Sequence, residues 1–137
     1  MTKFRFENGK NEETNLAGML EQIYIVFCKT LMLAAQSDKP VPMDFRTGLS
    51  ITLGMAFGIG ALCNMSTETI IKGIKQYLGT YKDVEGVFTI MMATYGKPSY
   101  ELWFNSGGVA ARCAMKEELA EVAMLELATK YLARFDL

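Results

Sequence analysis

Residues 103–112, WFNSGGVAAR, are the part of the chain whose residue types best suit a small ligand. Residues 105–108 have the composition of a tight turn, in which successive backbone N–H groups can point at an anion. Arg112 adds a positive charge, and Trp103 or Tyr100 adds a face for stacking. The simpler interpretation is an ordinary hairpin turn. The residues predicted to bind a phosphate-bearing molecule are Trp103, Asn105, Ser106, Gly107, Gly108 and Arg112.

Histidine is absent from the 137 residues. This absence excludes Ser-His-Asp and Cys-His nucleophiles, a histidine general base, histidine-ligated zinc and the H-x-E deaminase site. The Walker A, dinucleotide-binding, kinase and EF-hand motifs are also missing. Carboxylates remain as potential acids or bases, but Asp83, Glu85 and Glu101 have the placement of solvated surface residues. We therefore expect a protein that is not an enzyme, with no catalytic residue, metal site or cofactor.

The cysteines and the first residues of the chain indicate the compartment, and the net charge indicates which partners are attracted. Cys28, Cys63 and Cys113 are far apart and offer neither a disulfide framework nor a CxxC pattern, which favours a reducing environment. The polar start MTKFRFENGKNEETN lacks the apolar region of a secretory signal, so we expect a cytoplasmic protein. The net charge of −1 gives no general attraction to nucleic acid or anionic lipid.

Residues 47–66, TGLSITLGMAFGIGALCNMS, contain no charged side chain, so they must either cross a membrane or lie in a core. Many are Gly, Ala, Ser or Thr, and no second segment of this quality is evident, so we expect no membrane span. From Leu49 to Gly60 the apolar residues alternate as in a strand, but they also form a helical stripe, and we favour the helix. Gly54 and Gly58 would give that helix a small-residue face.

The preceding segment, GMLEQIYIVFCKTLMLAAQ, predicts a helix that is apolar on more than one face. Its main stripe contains Leu16, Leu20, Ile23, Phe27, Leu31 and Ala34. A helix of this kind is central or lies at an interface, so we expect the chain to form homo-oligomers. The residues predicted to lie at such an interface are Leu20, Ile23, Phe27, Gly54 and Gly58.

The segment IGALCNMSTETIIKGI resembles the helix-turn-helix motifs of DNA-binding proteins. The resemblance covers about sixteen residues, and any tight pair of helices needs the same residue types. The would-be reading helix has Ile71 and Gly73 where major-groove readers carry Arg, Asn or Gln. The matching residues are Gly60, Asn64, Met65, Ser66, Ile70 and Ile74. Nucleic-acid binding is therefore an alternative and not the preferred function.

The second half of the chain changes character. Residues 87–94, 100–104 and 109–113 are rich in strand formers and are separated by the turn-like segments YGKPS and NSGG, which predicts an antiparallel β-meander. The segment MKEELAEVAMLELATKYLARF predicts a final helix with an exposed Glu126–Lys130 pair. Its predicted inward residues are Leu119, Val122, Leu125 and Leu132.

These elements predict an α+β fold: about three N-terminal helices, a small β-meander and a C-terminal helix. We expect a polar tail at residues 1–14 and a single domain at 15–137. The short, motif-free chain and its ten methionines favour an accessory or inhibitory protein, of the kind found in mobile elements, that binds another protein and itself. The alternatives are a binder of nucleotides or other phosphate-bearing molecules and a helix-turn-helix nucleic-acid binder.

Overall fold

The computed structural model describes residues 11–117 and 119–134, and this part of the chain folds into helices and turns without a strand. The predicted α+β class is therefore wrong. Of the predicted polar tail, residues 1–10 lie outside the described part, whereas residues 12–14 begin the first helix. The helices are α1 (Glu12–Ala34), α2 (Phe45–Leu62), α3 (Thr67–Tyr77), α4 (Val84–Thr94), α5 (Pro98–Lys116) and α6 (Ala120–Ala133), with a 3-10 turn at Leu78–Thr80.

Helix α2 is the centre of the fold. Residues 47–56 and 58–60 are all buried, because α1, α3, α4 and α5 pack around this helix. The Asp44 carboxylate caps its first turn by accepting a 3.1 Å hydrogen bond from the Thr47 backbone N–H. The helix predicted for this segment is confirmed, and the strand alternative is wrong. Because α2 is buried on several sides, apolar residues occur all around it, and some of them also fit the alternating spacing of a strand.

Both α1 and α2 are long and apolar enough to cross a membrane. The expectation that no second segment of this quality exists is therefore wrong, since α1 passes the same test. In the most apolar 18-residue window of α2, 72% of the residues are buried inside the fold, against 39% for α1. Core helices of soluble proteins give this signal too, so two such helices are weak evidence for a membrane.

Helix α1 follows the predicted stripe. Leu16, Leu20, Ile23, Phe27 and Leu31 are all buried in the core. The side chain of Asn11 caps the helix by accepting a hydrogen bond from the Thr14 N–H at 2.9 Å. The second apolar face predicted for α1 is buried only in part. Met19 is buried, whereas Leu33 is 79% exposed.

Helices α2 and α3 form the predicted tight corner. Met65 is buried in the turn, and the Ser66 hydroxyl accepts a 3.1 Å hydrogen bond from the Thr69 N–H. A Cβ added to Gly60 would overlap the Ile70 side chain, which shows why the first helix needs a small residue there. The predicted placement of these residues is confirmed, as is the burial of Ile74.

The predicted β-meander is wrong at each of its strands, because α4 and α5 occupy the segment. The Asp83 carboxylate begins α4 by accepting a hydrogen bond from the Gly86 N–H at 2.9 Å. The residues that turn toward the core then recur at helical spacing, at Val84, Val87, Phe88 and Met91. The YGKPS turn is present, with Gly96 at φ +79°, but it leads into a helix that begins at Pro98.

Helix α6 is confirmed as a helix, but most of its predicted inward residues are wrong. Leu119, Val122 and Leu125 are 71%, 52% and 52% exposed, and of the predicted set Leu132 alone is buried. Helix α6 packs against α1 on one side and α5 on the other, which selects a different face of the helix. The residues buried there include Ala123, Met124, Leu127, Ala128 and Tyr131.

Candidate functional site

Helices α2 and α5 make the most extensive contact in the fold, and they touch backbone to backbone. A Cβ added to Gly58 would lie 2.6 Å from the Gly108 carbonyl oxygen, closer than any side chain tolerates. A Cβ on Gly54 would overlap the Phe104 carbonyl, and one on Gly107 would overlap that of Ile51. The small-residue face predicted for α2 is therefore a contact within the chain.

The turn predicted at residues 105–108 is wrong, because these residues lie in the middle of α5. Backbone N–H groups inside a helix donate to carbonyls four residues earlier, so they cannot cradle an anion. Each glycine in a helix interior costs about 1 kcal/mol relative to alanine. The close approach of α2 requires a glycine at position 107 and leaves little room for a side chain at Gly108, which explains why a glycine pair occurs inside a helix.

The six predicted ligand-binding residues point to different surfaces of α5. Trp103 is buried and meets the Tyr131 ring edge-on, with ring centroids 6.0 Å apart. Gly107 is buried against α2, and Ser106 lines a groove between α5 and α6. Asn105, Gly108 and Arg112 line a cleft between α2 and α5. The structure therefore brings three of the six residues together, with the predicted interface glycines Gly54 and Gly58 beside them.

We call the surface between α2 and α5 the α2–α5 cleft. It has a volume of about 340 Å³ and is lined by Gly54, Phe57, Gly58, Phe104, Asn105, Gly108, Val109 and Arg112. The Arg112 guanidinium lies over Gly108, where an added Cβ would come within 3.3 Å of its Nη1 atom. The sequence-based prediction missed Phe57 and Phe104. A helical wheel of α5 would have placed Phe104 one turn before Gly108.

The residues predicted to form an interface between copies lie inside the chain. Leu20, Ile23 and Phe27 are fully buried in the core. Gly54 and Gly58 contact α5, as described above. An interface between copies therefore needs other side chains.

A second surface carries exposed apolar side chains, and we call it the α5–α6 face: Leu102, Val109, Val122, Glu126 and Lys130. Leu102 and Val109 are 52% and 47% exposed, and they line a groove of about 260 Å³ between α5 and α6. Glu126 and Lys130 line the same groove. Val122 lies one turn before Glu126 on α6 and therefore borders the groove, whereas Leu125 lies on the side of the helix that faces away from it.

A third hollow, of about 200 Å³, is lined mainly by aromatic and apolar residues between α1, α2 and the 3-10 turn. Burial raises the pKa of Tyr24, and it raises the pKa of Tyr77 to about 12. Burial also raises the pKa of the Cys28 thiol. These shifts keep all three groups protonated and neutral at physiological pH, so none of them is activated as a nucleophile.

Among residues 11–117 and 119–134, no three His, Cys, Asp or Glu side chains come together in a group that could hold a metal ion. Comparisons with protein-family models, with curated proteins and with solved structures found no match. The function therefore has to be argued from the surfaces of this fold.

Proposed function

We propose that this protein is a non-catalytic accessory or inhibitory protein of the cytoplasm that acts through protein contacts and assembles with a second copy of itself through the α5–α6 face. The observation that carries the proposal is the exposure of large apolar side chains on two neighbouring helices. Val122 on α6 and Leu102 on α5 are each 52% exposed, and Val109 on α5 is 47% exposed. Exposed apolar side chains that cluster on one surface mark interaction sites, whereas isolated ones are ordinary.

The shape of the face suits a second copy of the same chain. A two-fold dimer uses the same patch on both subunits, so that patch must hold both protruding and hollow features. Val122 protrudes from α6, and the groove between α5 and α6 lies next to it. Each copy can therefore offer side chains to the other copy's groove.

The charges of the face support the same partner. Glu126 and Lys130 line the groove, and within the described residues neither side chain takes part in an ion pair. When two α6 helices cross in antiparallel orientation about a two-fold axis, residues of the same flank come together. Glu126 of each copy can then approach Lys130 of the other, which favours self-association over a partner of uniform charge.

Analytical ultracentrifugation of the wild-type chain, Val122→Glu and Leu33→Glu tests the proposal. We expect a wild-type dimer at tens of micromolar protein and a monomeric Val122→Glu variant, because a buried unpaired carboxylate is costly. Leu33 is 79% exposed but lies on α1, so Leu33→Glu should remain dimeric. A monomeric wild-type chain, or a Val122→Glu variant that dimerises as well as the wild type, would contradict the proposal.

A further inference from the structure

We infer that the α2–α5 cleft binds a small amphipathic anion, with an apolar body against Phe57 and Phe104 and an acidic head group on Arg112. This inference does not depend on self-assembly, since the cleft is built by α2 and α5 of one chain. Its volume, about 340 Å³, lies within the range of small-molecule sites, which runs from about 300 to about 1,000 Å³.

The wall of the cleft determines the body of the ligand. The rings of Phe57 and Phe104 lie 6.3 Å apart at 48° to each other. Tyr95 extends this wall, because its ring meets Phe104 edge-on at 5.4 Å, and it is 61% exposed. Val109 adds an apolar side chain that is 47% exposed. These side chains offer apolar contact and few hydrogen bonds, which suits an aromatic or acyl group.

The floor of the cleft is backbone. Gly54, Gly58 and Gly108 lack side chains there, so the cleft reaches down to the contact between the two helices. The guanidinium of Arg112 occupies the space above Gly108. Its positive charge therefore lies at the cleft and is not directed away into solvent.

The charge of the cleft determines the head group. Arg112 is the one charged residue among those that line the cleft, and Asn105 supplies an amide elsewhere along its lining. In the part of the chain that the structure describes, Arg112 has no ion pair or hydrogen bond, and Asn105 lies two turns before it on α5. A guanidinium binds a carboxylate, sulfate or phosphate through two parallel hydrogen bonds, so an anion would supply the missing partner.

Isothermal calorimetry with 2-naphthyl phosphate and with its neutral counterpart 2-naphthol tests the inference. We expect the phosphate to bind the wild-type chain at one site per chain and to lose about tenfold or more in affinity with Arg112→Met. The matched control is Lys116→Met, one turn later on α5 and exposed, which should keep its affinity within about twofold. The neutral 2-naphthol should not distinguish Arg112→Met from the wild type.

Val109 and Asn105 line both the cleft and the groove between α5 and α6, so the test leaves both residues unchanged. Ligand-induced NMR shifts of the wild-type chain provide a measurement that does not depend on any variant, and we expect them at the Phe57 and Phe104 rings. The inference is overturned if 2-naphthyl phosphate does not bind the wild type at millimolar concentration, if the shifts lie elsewhere, or if Arg112→Met binds it equally well. Because these results concern ligand affinity, they do not decide whether the chain dimerises.

Discussion

The hydroxyl of Tyr131 on α6 donates a 2.6 Å hydrogen bond to the backbone carbonyl of Pro42, 89 residues earlier in the chain. The same hydroxyl accepts a 3.1 Å hydrogen bond from the Asp44 N–H, and the Tyr131 side chain is fully buried. One phenol thus joins the C-terminal helix to the linker that leads into α2.

Replacing Tyr131 with Phe removes both hydrogen bonds and leaves two partly buried backbone groups without this partner. We expect Tyr131→Phe to lower the free energy of unfolding by about 1–3 kcal/mol. Urea unfolding followed by circular dichroism measures the change. The control is Tyr95→Phe, because Tyr95 is 61% exposed and should change stability by no more than about 0.5 kcal/mol. Equal stability of the two variants would contradict the role assigned to the Tyr131 hydroxyl.

Gly58→Ala tests the contact between α2 and α5. The new methyl group would lie 2.6 Å from the Gly108 carbonyl oxygen, so the two backbones would have to move apart. We expect a loss of about 1–3 kcal/mol. Gly18 on α1 is exposed and has no atom within 4 Å of an added Cβ, so Gly18→Ala should stabilise the chain by about 0.5–1 kcal/mol. Thermal unfolding of both variants checks the prediction, and a rise in the midpoint for Gly58→Ala would refute it.

Asp44 links stability to acid pH. The Thr47 hydroxyl donates to its carboxylate at 2.7 Å and holds the pKa of Asp44 below its usual value, with a smaller contribution from Arg134. A lowered folded-state pKa means that the stabilisation is present above the unfolded-state pKa of about 3.9 and is lost as the pH falls through the folded-state value. Asp44→Asn keeps a capping side chain but cannot titrate. Between about pH 6 and pH 2, we expect the wild type to lose more stability than Asp44→Asn in urea unfolding.

Tyr24 and Tyr77 link stability to alkaline pH. Burial raises the pKa of both, in the case of Tyr77 to about 12, so the unfolded chain releases these protons at lower pH than the folded chain does. Stability is therefore complete below about pH 10 and falls as the pH rises from there toward the folded-state values. Guanidinium unfolding between about pH 8 and pH 11 should show this fall, and it should be smaller in Tyr24→Phe. If the free energy of unfolding of the wild type and of Tyr24→Phe fell equally with pH, the prediction would be contradicted.

The first half of the fold could be predicted because its signals are local. Asp44 and Ser66 cap their helices as expected, and the buried stripe from Leu16 to Leu31 has helical spacing along α1. The second half could not be predicted from strand propensity. Val87 and Ile90 favour strands, but the Asp83 cap and the packing of α4 against α2 favour the helix.

The candidate site was predicted only in part, because it depends on a contact between residues that are far apart in the sequence. Gly107 and Gly108 have the composition of a turn, and their actual role depends on α2, which lies about fifty residues earlier. No local pattern states that two helices meet there. Arg112 reaches the cleft because the helix carries it one turn beyond Gly108, a relationship that becomes visible once residues 105–108 are known to be helical.

The central position of α2 has a consequence for synthesis of the chain. Its glycine face packs against α5, and the Ser50 hydroxyl donates to the carbonyl of Tyr100, 50 residues later, so α2 leaves the ribosome well before its main partner exists. During that interval α2, whose one charged residue is Arg46, lacks the part of its cover that α5 supplies. Chains that stop before Pro98 keep it in this state, and we expect them to aggregate or to require a chaperone, whereas the complete α5 supplies the surface that makes the segment soluble.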